Sequence, residues 1–137
     1  MTAYLSREEV IALHSAIVEA SGEPPGFRDA GRLEASIAVQ WHTFGGEDLY
    51  PTVVDKAAAL GFCIVVGQPF IQGNKRTGHA AMESLLITNG YELRASVDEQ
   101  EAVILAVAYP AMGLESFTAW LYGVVFEWQA RKRGRRP

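Results

Sequence analysis

Apolar residues recur at three- and four-residue spacing along most of the chain, and capping residues cut that pattern into segments. Ser6-Arg7-Glu8-Glu9 reads as a capping box that opens a helix with Val10, Leu13, Ile17 and Val18 on one face. Ser21 to Gly26 stops it, and Asp29 is placed to cap a second helix containing Leu33, Ile37 and Trp41. The glycine-rich stretch Phe44 to Pro51 reads as a mobile surface loop or a short hairpin. From Thr52 to Val66 the chain is almost wholly apolar after Asp55 and Lys56, which predicts a helix buried on nearly all sides. Thr77 to Asn89 forms another, ended by Asn89-Gly90. Ser96-Val97-Asp98-Glu99 reads as a second capping box, its helix running to about Tyr109 before Pro110. The last helix is predicted from Glu115 to Arg131, with Phe117, Trp120, Leu121, Val124, Val125 and Trp128 as a core stripe. Strand-like alternation is scarce. The pattern predicts one all-α domain of about six helices over 1–130, followed by a basic tail at 131–137.

A length of 137 residues suits a single domain with a real core. No apolar run is long enough to span a bilayer, and the first residues lack a basic-then-apolar leader, so a cytoplasmic protein is expected. Cys63, the single cysteine, sits in an apolar stretch and reads as a small buried hydrophobe. The net charge of −4 is unevenly spread: five of the twelve basic residues fall in the tail, leaving seven against sixteen acids. Such an acidic body argues against a general nucleic-acid surface. Only the tail offers a contact to nucleic acid or to an acidic partner.

The candidate chemistry lies in the loop from Gln68 to Thr77, between two apolar helical segments. It delivers Gly73, Asn74, Lys75 and Arg76 to the start of a helix, where unpaired N–H groups and the helix dipole attract anions. Arg76 supplies a fork that matches phosphate oxygens, and Lys75 a point charge. The same loop holds no His, Asp, Glu, Cys or Ser to act as base, nucleophile or strong metal ligand. It reads as built to bind an anion and poorly equipped to transform one, against the plainer reading of a helix N-cap with two solvated cations.

The run Pro69-Phe70-x-x-Gly73-Asn74-Lys75-Arg76-Thr77 resembles the signature of the Doc (death-on-curing) branch of the Fic superfamily, His-x-Phe-x-Asp/Asn-Gly/Ala-Asn-Lys-Arg. Further similarity runs through Tyr4-Leu5-Ser6, Glu8-Glu9, His14, Gly26-Phe27-Arg28-Asp29, Phe44-x-Gly46, Leu49-Tyr50-Pro51-Thr52, Lys56-Ala57-Ala58 and Asn89-Gly90-Tyr91. The resemblance implies a compact all-helical Fic fold with the motif loop between two central helices. It further implies a transferase of the kinase or AMP-transferase type, using ATP to modify a hydroxyl, with elongation factor Tu as target and a paired antitoxin. Gly73, Asn74, Lys75 and Arg76 fall on its phosphate-binding positions, Phe70 on its buried loop anchor, and Gly45 to Leu49 on its target-positioning flap.

Two positions depart from that pattern. The family's histidine base is Gln68 here, and a neutral amide does not take a proton from a hydroxyl. The family's acidic metal position is Gln72, whose amide carbonyl offers Mg²⁺ geometry without charge. Phosphoryl transfer depends on positioning and charge neutralisation, so ordinary transfer is expected to be weakened or lost while nucleotide binding survives. His79 lies one helical turn beyond Arg76 and is a candidate compensating base or anion contact, against the plainer reading of a partly buried, hydrogen-bonded histidine. His14 and His42 read as structural. Besides a drifted enzyme, the sequence leaves open a non-catalytic partner-binding homologue and a Fic scaffold repurposed for different chemistry.

Overall fold

The computed structural model describes residues 1–128. The tail at 131–137, and the end of the helix predicted to reach Arg131, lie outside the described residues. Among the described residues there are six α-helices: α1 (Arg7–Ser21), α2 (Ala30–Ala38), α3 (Val53–Gly67), α4 (Asn74–Thr88), α5 (Val97–Ala108) and α6 (Leu114–Val124). Two small antiparallel pairs accompany them: β1 (Thr43–Phe44) with β2 (Glu47–Asp48), and β3 (Tyr91–Leu93) with β4 (Val125–Glu127). The all-α reading therefore holds, and no described helix is long and apolar enough to cross a membrane.

Local chemistry explains most boundaries. Ser6 and Glu9 form the reciprocal capping box at α1, with Glu9 N–H donating to Ser6 Oγ at 3.1 Å and Ser6 N–H to Glu9 Oε1 at 2.8 Å. Thr52 and Asp55 do the same at α3. Asp29 caps α2 through Arg32 N–H, at 3.2 Å. At α5 the expected box is only half formed. Ser96 accepts from Glu99 N–H, but the Glu99 carboxylate takes the Trp120 indole N–H at 2.9 Å instead.

The end of α6 corrects the sequence reading. The helix stops at Val124, and Val125–Glu127 leaves it as a strand that pairs Tyr91 with Glu127, Glu92 with Phe126 and Leu93 with Val125. β-Branched and aromatic residues suit a pleated surface, and the backbone of β3 needs a partner after the Gly90 turn. Trp128 N–H donates to Gly90 O at 2.7 Å, which closes the pair. Val125 thus packs against the core from a strand rather than from a helix.

The core lies around α3, whose Ala57, Ala58, Ala59, Leu60 and Ile64 are fully buried. Its most extensive partner is α4. The two helices approach closely where Gly61 meets Gly78. A Cβ on Gly78 would stand 2.8 Å from Gly61 O and 2.6 Å from Val65 Cγ2, so only glycine fits. Lys56 is also buried on α3, its Nζ donating to Gln40 O at 2.6 Å and to Asp48 Oδ2 at 3.0 Å. A buried cation needs such partners, and this one pins β2, and with it the β1–β2 hairpin, to the helix. The stretch read as loop or hairpin is a hairpin.

Gly78→Ala is expected to destabilise the fold by about 1–3 kcal/mol, because the crowding falls on backbone that cannot step aside. Urea denaturation monitored by circular dichroism checks this; an unchanged midpoint would show that α3 and α4 can separate freely.

Candidate phosphate site at the start of α4

The motif loop is positioned by four separate contacts. Phe70 is buried and stacks on the His14 ring, centroids 3.6 Å apart and planes within 8°. His14, itself buried on α1, donates from Nε2 to Gln72 O at 2.8 Å. Asn74 clamps Phe70 on both sides: its Oδ1 accepts from Phe70 N–H at 3.0 Å and its Nδ2 donates to Phe70 O at 2.9 Å. The segment before α2 supplies the fourth contact, with Ile71 N–H donating to Gly26 O, and Arg28 and Asp29 N–H both donating to Pro69 O.

α4 begins at Asn74, three residues earlier than the sequence placed it, so Asn74, Lys75 and Arg76 form its first turn. Gly73 precedes them in the left-handed region at φ 80°, and a Cβ there would come within 3.1 Å of Val18 Cγ1. No side chain caps this turn, and its first helical hydrogen bond runs from Thr77 N–H to Gly73 O. The preceding N–H groups are thus the ones a helix start leaves for an anion. Thr77 Oγ1 is buried and without a hydrogen-bond partner among the described residues. Asn74 is drawn into the same turn, but its amide is committed to Phe70. Its side chain therefore holds the loop, and its backbone is what it offers a ligand.

A cavity of about 360 Å³ opens over this turn, lined on the loop side by Gln72, Lys75, Arg76 and His79 and on the α5 side by Glu101 and Leu105. Glu23 closes its edge and pairs with Arg76. A second space of about 160 Å³ shares Gln72 and Lys75 with the first and adds Gln68. All the residues singled out in the loop are thus brought together around two adjoining spaces. Gln68 caps α3 at φ 50°, an unusual conformation for a residue with a side chain. Its carbonyl accepts from Arg28 Nε at 3.1 Å, and Gly67 O accepts from Arg32 Nη1 at 2.9 Å. His79 does reach the larger cavity. Gln100 Nε2 donates to Ala95 O, which turns Gln100 Oε1 to accept from His79 Nε2 at 2.7 Å. Only Nδ1 of His79 is then left for a ligand. His42 is exposed at the foot of the β1–β2 hairpin, away from these lining residues.

Sequence reasoning missed Glu23 and Glu101, and the two arginines on the α3 carbonyls. Glu23 lies in a loop that looked only like a helix stop, and Glu101 on a polar face that looked merely solvated. Burial raises the Cys63 thiol above its ordinary value, in keeping with an unreactive packing residue.

Helical architecture and a loop feeding an uncapped helix start beneath a cavity are the arrangement that the resemblance to the Fic superfamily leads one to expect. A model described as the Fic/DOC family matches residues 4–86. "Toxin Doc" of Mycolicibacterium smegmatis (strain ATCC 700084 / mc(2)155) is 39% identical over 125 residues, covering 90% of this chain and 94% of that protein. The chain belongs to the Fic/Doc family, in its Doc branch.

The Glu23 carboxyl is held below its ordinary value of 4.5 by the Ser21 hydroxyl and then by Arg76. Any stability it contributes is present above that ordinary value and is lost as pH falls through the lowered one. A carbon-detected NMR titration should therefore find its midpoint below the usual glutamate range. Ser21→Ala and Arg76→Ala should each move the midpoint upward. A wild-type midpoint at the ordinary value would mean that the pair does not form in solution.

Proposed function

We propose that this Doc-branch protein is a toxin-lineage chain, acting in the cytoplasm, that binds a nucleotide or other phosphorylated ligand at the start of α4. Ordinary phosphoryl or AMP transfer to a protein hydroxyl is weakened or lost. The observation that carries this reading is the contrast across the two adjoining spaces. Lys75, Arg76 and the uncapped first turn of α4 converge on the larger, while the base and metal positions present only the amides of Gln68 and Gln72. Binding uses the former, and transfer needs the latter to be a base and a carboxylate.

The residues present do not fit a Mg²⁺ site. Gln72 brings no charge, Glu23 is committed to Arg76, and the described residues hold no cluster of three His, Cys, Asp or Glu side chains able to bind a metal. By lineage the partners are an antitoxin and a protein target such as elongation factor Tu. A second reading, a non-catalytic partner-binding homologue, draws on the exposed apolar side chains of Ile71 and Leu105, which line the two cavities.

Calorimetric titration with ATP, ADP and AMP, with and without Mg²⁺, tests the binding. The expected result is affinity that barely depends on Mg²⁺ and falls at least about tenfold in Arg76→Ala, as for loss of a charge-assisted contact. No binding of any of them would leave the partner-binding reading ahead.

Restoring the missing groups tests the chemistry. Gln68→His with Gln72→Asp is expected to recover transfer from labelled ATP to elongation factor Tu, and to arrest growth on expression. The pair should exceed either single change, because base and metal serve one transition state. A folded but inert double variant would favour the repurposed scaffold, with His79 the first residue to replace.

A further inference from the structure

The carbonyl end of α3, where the motif loop begins, is closed in an uncommon way. The helix stops at Gly67, and Gln68 follows at φ 50° and ψ 59°, the one non-glycine residue in the left-handed region among the described residues. Helices that end on a left-handed residue usually place glycine there, and many close with an N–H from the residue after it. Here that next residue is Pro69, which has no N–H and disfavours a helical backbone in the residue before it. Gln68 N–H still donates to Ile64 O at 3.0 Å, but Pro69 can add no second bond. Nor does α3 carry a basic residue in its last turn to answer the negative end of its dipole.

What this end lacks is supplied from another segment, residues 28–32. Consecutive carbonyls are taken in turn: Arg32 Nη1 donates to Gly67 O at 2.9 Å, and Arg28 Nε to Gln68 O at 3.1 Å. The N–H groups of Arg28 and Asp29 donate to Pro69 O at 2.8 and 3.0 Å. Asp29 Oδ2 lies 3.4 Å from Arg32 Nε and braces that guanidinium, while Asp29 Oδ1 caps α2. Two cations thus stand at the carbonyl end of α3, where the helix dipole favours them. Gly67 O and Gln68 O belong to the two peptide planes that meet at Gln68 Cα, so holding both fixes the φ and ψ of that residue. A left-handed residue with a side chain is strained and persists only where its surroundings over-determine it. Gln68 is exposed, so its own side chain is not packed into place, and it lines the smaller cavity beside Gln72 and Lys75.

We infer that Arg28 and Arg32 are positioning residues for position 68. They hold the two peptide planes that meet there, keep a residue with a side chain left-handed ahead of a proline, and so fix where that side chain meets the smaller cavity. Neither arginine lines either cavity, so both act on the site through residue 68. Their bearing on transfer rests on the proposal above that residue 68 is the base position.

Backbone NMR of the full chain tests this, because Cα and Cβ shifts separate a left-handed residue from a helical or extended one. Gln68 should show the left-handed signature in the wild type. In the variant combining Arg28→Ala and Arg32→Ala it should lose that signature, while the signals of α3 and α4 hold their places. Both arginines are exposed, so the variant should still fold. Thermal melting gives a second measure. Glycine takes the left-handed region unaided, so the fall in melting temperature caused by the arginine pair should shrink to about half or less when Gln68→Gly is added. In the chain restored by Gln68→His and Gln72→Asp, Arg28→Ala should lower kcat by about tenfold or more with KM for ATP little changed, as misplacing a reacting group does. A left-handed signature that is missing from the wild type, or that survives loss of both arginines, overturns the inference. So does a melting loss that glycine at position 68 leaves unchanged, or an active restored chain that Arg28→Ala does not slow. Signals lost throughout α3 and α4 would make the arginines general supports of the fold and overturn it as well. An inert restored chain counts against the transfer reading and leaves the shifts of residue 68 to decide this one.

Discussion

The burial of Phe70 is the constraint on which the site depends. A phenyl ring pulled into the core drags its own amide and carbonyl away from water, and both must find partners. Asn74 supplies the pair from one side chain, while His14 stacks on the ring and reaches on to Gln72 O. Because Asn74 is the first residue of α4, the same hydrogen bonds that satisfy Phe70 fix where that helix begins. The direction of the N–H groups, and the places of Lys75 and Arg76 one and two residues later, follow from that start. Losing either half of the clamp would leave a buried polar group unpaired, which typically costs about 1–3 kcal/mol.

The helix start is held from below by close packing. Gly61 and Gly78 let α3 and α4 touch through backbone, and Gly73 lets the chain turn against α1 without striking Val18. These contacts leave the first turn of α4 little freedom, so its leading N–H groups are already ordered. The opposite wall is different in kind. α5 contributes through exposed Glu101 and Leu105, and Glu23 closes the edge from a loop. In the proposed reading, the phosphate contacts fall on the rigid side.

Much of this was legible in the sequence, and the misses share a cause. Capping residues announced α1, α2 and α5 because a cap is a local contract between neighbours. The same rule misled at Glu99, where a tryptophan from α6 took the carboxylate that the local pattern reserved for the cap. It failed again after Val124, where Val125 and Trp128 fit a helical stripe, yet the same stretch also serves as a strand. The deciding factor was the unpaired backbone of β3, some thirty residues away in sequence. In the loop, the sequence groups Gly73, Asn74, Lys75 and Arg76 at a helix start but does not reveal what the Asn74 amide bonds. Its commitment to Phe70 shows only in three dimensions. Glu23 and Glu101 were illegible for the same reason: each is ordinary on its own element and becomes significant only where the elements meet.

Gln68 and Gln72 stand apart from all of this. The contacts that hold them use their backbone carbonyls: Arg28 on Gln68 O, and His14 on Gln72 O. Their side chains are exposed, and neither is hydrogen-bonded within the described residues. Loop geometry is therefore set without reference to what those two side chains are. A histidine and a carboxylate would occupy the same backbone, and two amides do so at no cost to Phe70, Asn74 or the first turn of α4. Such separation would let a chain keep its loop geometry while the side chains at these two positions change. On the resemblance to the Doc signature, this is how a chain could carry amides at both positions while the contacts of Phe70, Asn74 and His14 are made.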